Sequence, residues 1–217
     1  MTKYARVEIA LTLLVGGTLT LVVGWVVGWW ALLPAVLTFA LLSFYRDPPR
    51  RIPPGANLVL APADGRIVEV TRNAAGPDGG AVARIMIFLS VHNVHVNRSP
   101  CAGRVLDTVY KPGQFVNALR AEADRCNECN TIVLEPAAPL PGPIRVRQIA
   151  GVLARRIVCA VRPGDVVAAG ERVGMIKLGS RTEVSLPEHS AWEILVANGD
   201  KVRGGATPLA RLRPETP

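Results

Sequence analysis

The sequence predicts a mainly β domain that follows an N-terminal pair of hydrophobic helices. No charged side chain occurs between Ile9 and Tyr45, a length and composition typical of membrane-embedded helices. Beyond a segment rich in proline and charge, the chain carries short β-branched runs between Gly, Pro and Asp turns. These observations predict a membrane-anchoring segment at 1–46 and a β domain at 47–217.

The apolar run is too long for one membrane-spanning helix and barely long enough for two, since one span takes about 20 residues. Gly24, Gly28 and Pro34 interrupt it near the middle. Three of the four tryptophans cluster there, where the aromatic belt of a membrane interface would lie. A core helix would instead show polar residues on one face. The run predicts a helical hairpin, either spanning or re-entrant.

Basic residues flank this hydrophobic run on both sides: Lys3 and Arg6 before it, and Arg46, Arg50 and Arg51 after it. By the positive-inside rule, both ends of the hairpin then face the cytoplasm. The formal net charge of +8 also suits an anionic membrane surface. Because no basic cluster is interleaved with aromatic residues, we expect no nucleic-acid partner.

The second part of the chain reads as short strands at 67–70, 83–89, 131–134, 144–149 and 156–161. Residues 113–124 hold one short helix at most. The Pro-Gly-Asp turn at 163–165 and the Gly-Glu pair at 170–171 resemble those of biotinyl- and lipoyl-like domains. A small β-sandwich or barrel of that barrel-sandwich type is therefore expected.

The four cysteines give little sign of a metal or redox site. Cys126 and Cys129 form a lone CxxC, and Cys101 and Cys159 are isolated. A zinc site would require a second pair of cysteines or nearby histidines as further ligands. We therefore expect no metal.

The pair Gly179-Ser180 follows a strand-like run and is the first candidate for chemistry. A serine directly after a glycine at a turn can attack the carbonyl carbon of its own preceding peptide bond. Glycine has no Cβ to crowd that carbonyl, and it tolerates a strained backbone. Taken alone, Gly-Ser is also a common turn pair.

Two of the three histidines, His92 and His95, lie in one polar segment with further polar neighbours at Ser90, Asn93, Asn97 and Arg98. If this segment is a strand, alternation places the two histidines on opposite faces, so they would not share a metal. Histidine is the side chain best suited to proton transfer near neutral pH. A carboxylate such as Asp64 could orient it, although sequence distance does not show that the two meet.

Five motifs now occur in a recognisable order: FYRDP at 44–48, APADG at 61–65, FLS with NVHVNRSP at 88–100, GVLARRI at 151–157, and MIKLGS at 175–180. Together they resemble the short form of the phosphatidylserine decarboxylase proenzyme family. The resemblance runs from about residue 44 to the end of the chain. The hydrophobic hairpin is also similar in type to that of the short members.

The resemblance implies a membrane-bound enzyme that converts phosphatidylserine to phosphatidylethanolamine and CO₂. Its precursor would cut itself between Gly179 and Ser180 into a β chain, 1–179, and an α chain, 180–217. Ser180 would become a pyruvoyl group that forms a Schiff base with the substrate amine. The two chains would stay together, and a dimer of such pairs is left open. The location implied is the cell (inner) membrane, with the catalytic domain on its cytoplasmic side.

The residue roles carry over unevenly. Ser180 matches the pyruvoyl precursor, His95 the family's proton-handling histidine, and Asp64 the aspartate that assists it. Arg98 stands where longer members have a second histidine, and Asn93 where many have aspartate. Which group is the base for self-cleavage is therefore open. Arg98, Asn97 and Ser90 are candidates for substrate binding, and His189 receives no role.

Two alternatives remain at this point. The first is a membrane-anchored carrier or binding module with a lipoyl-like sandwich. Its chain would stay intact, and a carrier would contain a covalently modified Lys177. A serine hydrolase using Ser180 and His95 would also leave the chain intact, and a fluorophosphonate would label it. No G-x-S-x-G motif supports the hydrolase.

Overall fold

The computed structural model describes residues 1–76, 80–116, 122–151, 156–177, 180–188 and 191–213. Two compact units divide the chain, Met1–Pro49 and Arg50–Pro217. Gly179, His189 and part of the 151–157 motif lie outside the described residues.

The N-terminal unit is a hairpin of two helices, α1 (Arg6–Val27) and α2 (Leu32–Phe44), joined by a 3-10 turn at Gly28–Ala31. Gly28 has a φ of 61°, in the left-handed region that glycine adopts readily. The Thr2 N–H donates to the Tyr45 carbonyl at 2.8 Å, so the two ends of the hairpin meet. The predicted pair of hydrophobic helices is confirmed.

Helix α1 has 22 residues and α2 has 13, lengths of about 33 Å and about 20 Å. The hydrocarbon core of a bilayer is about 30 Å thick, so α1 alone is long enough to cross it. The helical stretch Lys3–Phe44 as a whole is long and apolar enough to cross a membrane, and its most apolar window is not buried within the structure. This suggests that the unit associates with a membrane.

The second unit is built from short antiparallel strands. Those in its described part are β1 (Leu58–Leu60), β2 (Gly65–Ala75), β3 (Ala81–Leu89), β4 (Val96–Arg98), β5 (Gly103–Lys111), β6 (Cys129–Pro136), β7 (Ile144–Ile149), β8 (Ile157–Cys159), β9 (Val166–Val167), β10 (Arg172–Ile176), β11 (Ser180–Pro187), β12 (Trp192–Ile194), β13 (Lys201–Val202) and β14 (Pro208–Leu212). A short helix, α3 (Ala123–Cys126), precedes β6. The predicted mainly β fold is confirmed.

The strands form one large sheet and two small ones. The large sheet has the order β13-β2-β3-β11-β7-β6-β5-β9, and the small sheets are β1-β14-β12 and β4-β10-β8. Strand β11 lies in the middle of the large sheet, between β3 and β7. The strand that begins with Ser180 is therefore a central one, held by backbone ladders on both sides.

The inward face of the large sheet is layered along β11. Val184 lies beside Ile85 and Val146, and these side chains belong to the main apolar core. One step nearer the start of β11, Thr182 lies beside Gln148, which in turn pairs with Asn130 of β6. On the β7 and β6 side of β11, this row is polar, whereas on the β3 side Ile87 and Leu89 continue the apolar core up to Ser180.

Most predicted strands are observed, with two differences. The run at 156–161 forms a strand only at Ile157–Cys159. The polar segment with the two histidines is not one strand, because β3 ends at Leu89 and β4 begins at Val96. A turn closed by a side chain interrupts it: the Ser90 N–H and hydroxyl donate to Asn93 Oδ1 at 2.9 and 2.7 Å. Short polar side chains commonly compete with strand ladders in this way.

Candidate active site

Ser180 is the first residue of β11 and pairs with Leu89 at the end of β3. Its side chain is fully buried, and its Oγ has no hydrogen-bond partner within the described structure. A buried hydroxyl without a partner costs about 1–3 kcal/mol and calls for an explanation, of which a chemical role is one. The residues just before it, 178–179, are outside the described part of the chain.

His95 is fully buried and directly precedes β4. Its Nδ1 lies 2.9 Å from the carbonyl oxygen of Asn93. Since a carbonyl only accepts, Nδ1 carries the proton in this contact, and a neutral ring then has its lone pair on Nε2. That tautomer can accept a proton from a hydroxyl group.

The fold brings His95 and Ser180 to the same end of β10 and β11. The carbonyl of His95 accepts from the Ile176 N–H at 3.2 Å, and Ile176 lies four residues before Ser180. On the other side, the loop 90–94 joins His95 to Leu89, the residue opposite Ser180. Both routes are short, so the two predicted residues lie in one region.

Asp64 lies in a different set of contacts. Its carboxylate accepts two hydrogen bonds from Arg50, at 2.9 and 2.8 Å, and one from the Gly204 N–H at 2.8 Å. None of its hydrogen bonds with described residues is with His95. The predicted assistance of His95 by Asp64 stays a prediction. The partner that the structure gives to Asp64 is Arg50, which the sequence indicated only as part of the basic flank of the hydrophobic run.

The three candidates for substrate binding are placed unequally. Ser90 is half-buried in the turn with Asn93. Arg98 is buried and donates to the Gly170 carbonyl at 3.0 Å. The amide of Asn97 is buried and bonds to Gln148 and Thr182. Substrate binding by these residues stays a prediction.

A cleft of about 880 Å³ opens beside the loop that leads to His95. Ser90, Asn93 and Asp64 line it, together with the cationic side chains of Arg66, Lys201 and Arg203. Because Arg50 already neutralises Asp64, the cleft is net positive. It suits a ligand with anionic groups.

The cysteines do not form a metal site in the described residues, where no three His, Cys, Asp or Glu side chains cluster suitably. Cys126 is exposed, whereas Cys129 and Cys101 are buried. Burial raises the pKa of the Cys101 thiol to about 12, which keeps it protonated and a poor ligand or nucleophile near neutral pH.

Lys177, the lysine of the carrier alternative, is half-buried directly after β10, and its N–H donates to the Arg156 carbonyl at 3.2 Å. An acceptor lysine for a swinging arm would project from an exposed hairpin tip. The position of Lys177 gives the carrier alternative no support.

The sequence model of the family described as phosphatidylserine decarboxylase matches residues 37–210. The match includes Asp64, His95 and Ser180. The chain belongs to the phosphatidylserine decarboxylase family. The resemblance of the five motifs is thereby confirmed.

Individual relatives agree with this family assignment. A phosphatidylserine decarboxylase proenzyme of Rhodopirellula baltica is 46% identical over 208 residues, which cover 95% of this chain and 85% of the relative. The proenzyme of Granulibacter bethesdensis is 43% identical, covering 93% and 83%. That of Cupriavidus metallidurans is 42% identical, covering 85% and 84%.

Proposed function

We propose that the chain is the proenzyme of a membrane-associated, pyruvoyl-dependent phosphatidylserine decarboxylase, a carboxy-lyase that releases CO₂ and phosphatidylethanolamine. The observation that carries this proposal is the buried Ser180 hydroxyl, which lacks a hydrogen-bond partner in the described structure and begins a central strand. A turn serine with a purely structural role would bond a backbone group.

The cut would run through Gly179-Ser180. The Ser180 Oγ attacks the Gly179 carbonyl carbon, the peptide C–N bond breaks, and an ester forms while the amine is freed. β-Elimination then releases the carboxylate of Gly179 and leaves dehydroalanine at 180. Hydrolysis of its enamine form gives ammonia and the pyruvoyl group at the start of the α chain, 180–217.

The residues around Ser180 fit this prosthetic group, since it forms in place from a side chain that the protein leaves without a hydrogen bond. The pyruvoyl carbonyl supplies an electron sink for the carbanion that loss of CO₂ produces, as pyridoxal phosphate does elsewhere. No lysine-bound cofactor is then required.

His95 would move the protons. With Nδ1 donating to Asn93, the ring accepts at Nε2, so it can take the Ser180 hydroxyl proton as attack begins. The same group, once protonated, can deliver a proton to the carbon that has lost CO₂. Asn93 thus fixes the tautomer that this role needs.

The cleft would receive the lipid head group. Its carboxylate and phosphodiester are anionic, and Arg66, Lys201 and Arg203 supply positive charge along the cleft. The N-terminal hairpin would hold the β domain at the lipid surface, with the catalytic domain on the cytoplasmic side of the cell membrane. The β and α chains would remain paired, because the ladders of β11 with β3 and β7 span the cut.

The experiment that tests the proposal is the intact mass of the denatured protein. Two chains are expected, with the smaller beginning at residue 180 and lighter than its unmodified sequence by one ammonia. Ser180→Ala should give a single inactive chain. Ser185→Ala is the matched control, because Ser185 lies on the same strand but its hydroxyl donates to the Glu183 carboxylate. This variant should still be cut. A wild-type chain of full mass that does not decarboxylate phosphatidylserine would refute the proposal.

His95→Gln tests the proton transfer. General acid–base groups contribute about 10²- to 10⁴-fold, so self-cleavage, turnover or both should slow by a factor in that range. Cleavage is followed by the appearance of the α chain and turnover by CO₂ release. Normal values for both would remove His95 from the mechanism.

A further inference from the structure

A chain of buried side-chain amides leads to the strand of Ser180. Asn130 Nδ2 donates to Gln148 Oε1 at 3.0 Å, and Gln148 Nε2 donates to Asn97 Oδ1 at 2.8 Å. Asn97 Nδ2 in turn donates to Thr182 Oγ1 at 3.4 Å. All four residues are at most 3% exposed. Buried polar groups are retained only where hydrogen bonds offset their desolvation, so this chain is a built feature.

The chain of amides links two strands of different sheets. Asn97 lies in β4, two residues after His95, and Thr182 lies in β11, two residues after Ser180. Side chains two residues apart share one face of a strand. The contact between Asn97 and Thr182 therefore lies on the same strand faces as His95 and Ser180, two residues further along each strand.

Backbone pairing does not fix these two strands to each other. In the described residues β4 pairs with β10 only, and β11 pairs with β3 and β7. Before the cut, residues 177–179 connect β10 covalently to β11. Self-cleavage between 179 and 180 removes that connection and leaves the loop from β3 to β4 as the remaining short backbone link between the two strands. Side-chain contacts between the sheets therefore gain importance in the mature enzyme.

We propose that Asn97, held by Gln148 and bonded to Thr182, is a positioning residue that keeps the strand of His95 in place against the strand of Ser180 after the chain is cut. The inference rests on the proposed function, because it requires the cut at 179/180. Both hydrogen bonds of the Asn97 amide go to protein groups, which suits positioning rather than contact with substrate.

The hydroxyl of Thr182 can be removed with little change of shape. Thr182→Val deletes the acceptor of the Asn97 hydrogen bond, and Thr182→Ser keeps it while deleting a methyl group. Loss of a positioning contact should lower kcat per pyruvoyl group by about tenfold to a hundredfold in the valine variant, and by less than about twofold in the serine variant. Thermal stability should rank the other way, because the serine variant leaves a small buried cavity.

The uncut precursor provides a second readout. Because residues 177–179 still join β10 to β11, self-cleavage of Thr182→Val should slow by less than about threefold. Hydrogen–deuterium exchange at 96–98 should rise in the cut valine variant but not in the same variant carrying Ser180→Ala, which stays uncut. Thr131→Val is the matched control, since Thr131 lies on β6 with its side chain on the opposite face from Asn130 and Gln148.

The outcomes separate the two proposals. A cut and active wild-type enzyme with unchanged kcat and exchange in Thr182→Val would overturn the positioning role alone. A serine variant that is worse than the valine variant in activity as well as in stability would also overturn it, because packing would then explain both. A wild-type chain that is neither cut nor active would overturn the proposed function and this inference with it.

Discussion

The ion pair between Arg50 and Asp64 should be a major support of the β domain. Both side chains are largely buried, at 12% and 13% exposure, and Arg50 Nη2 lies 2.8 Å from Asp64 Oδ2. Replacement of Arg50 by methionine keeps an unbranched chain of similar length but removes the charge. Among the described residues, Asp64 then retains the hydrogen bond from the Gly204 N–H.

The expected loss follows from two opposing contributions. Hydrogen bonds to charged groups contribute about 1.5–3 kcal/mol each, and two are lost. Against this, Arg50 Nε is buried without a partner in the described structure, and its removal recovers about 1–3 kcal/mol. The difference spans about 0–5 kcal/mol. From its middle, we expect Arg50→Met to lower the free energy of unfolding by about 2–3 kcal/mol, or the thermal midpoint by about 5–10 °C for a domain of this size.

The assay is thermal unfolding of the full chain in detergent, with every variant built on Ser180→Ala so that all chains stay uncut. Arg213→Met is the matched control. Its partner Glu193 lies 3.5 Å away, the two side chains are 66% and 33% exposed, and such pairs contribute about 0–1 kcal/mol. Equal midpoint shifts in the two variants would show that burial does not strengthen the Arg50–Asp64 pair and would refute the reasoning.

Two further predictions concern the sheets and the cysteines. Gly174→Ala should destabilise the fold by about 2–3 kcal/mol, because a Cβ at Gly174 would overlap the Val158 carbonyl oxygen. Gly80→Ala is the control and should change stability by less than about 0.5 kcal/mol, because no described atom lies within contact of a Cβ there. Similar urea midpoints for the two variants would contradict the pairing of β8 with β10. With a pKa of about 12, only about one Cys101 thiol in 10⁴ is ionised at pH 8. A thiol reagent should therefore label the exposed Cys126 quickly and the buried Cys101 only after unfolding, as measured by peptide mass mapping. Fast labelling of Cys101 in the folded protein would be inconsistent with its burial.

The sequence by itself determined the kinds of element and their order. The uncharged apolar run is longer than one membrane span, and Gly24, Gly28 and Pro34 interrupt it near its middle, so it predicts two helices in a hairpin. In such a hairpin the backbone polar groups are satisfied within the helices. The alternating β-branched runs predicted β2, β3, β6 and β7, because period-two burial is a local property of the chain. The motifs predicted Ser180, His95 and Asp64 as a set through resemblance to one family.

The sequence predicted the ends of elements less well. It suggested that the histidine segment could be one strand, but the side chain of Asn93 closes a turn there. It also extended the strand at 156–161 beyond Cys159. A turn closed by a side chain depends on particular hydrogen-bonding atoms, and a strand ends where its partner strand ends. Neither feature is visible in the periodicity of hydrophobic residues.

Only the tertiary structure decided which side chains meet. Asn97 and Thr182 are 85 residues apart, and Gln148 stands 51 residues from Asn97, yet the three form one hydrogen-bonded row. Alternation indicates which face a residue takes, but the sheet order β3-β11-β7-β6 and the register of each ladder decide its neighbours. Those follow from the burial of the whole core at once. A shift of one residue in β11 would take Val184 out of the apolar core and put Glu183, which now lies near Arg84 and Arg147 on the other face, in its place.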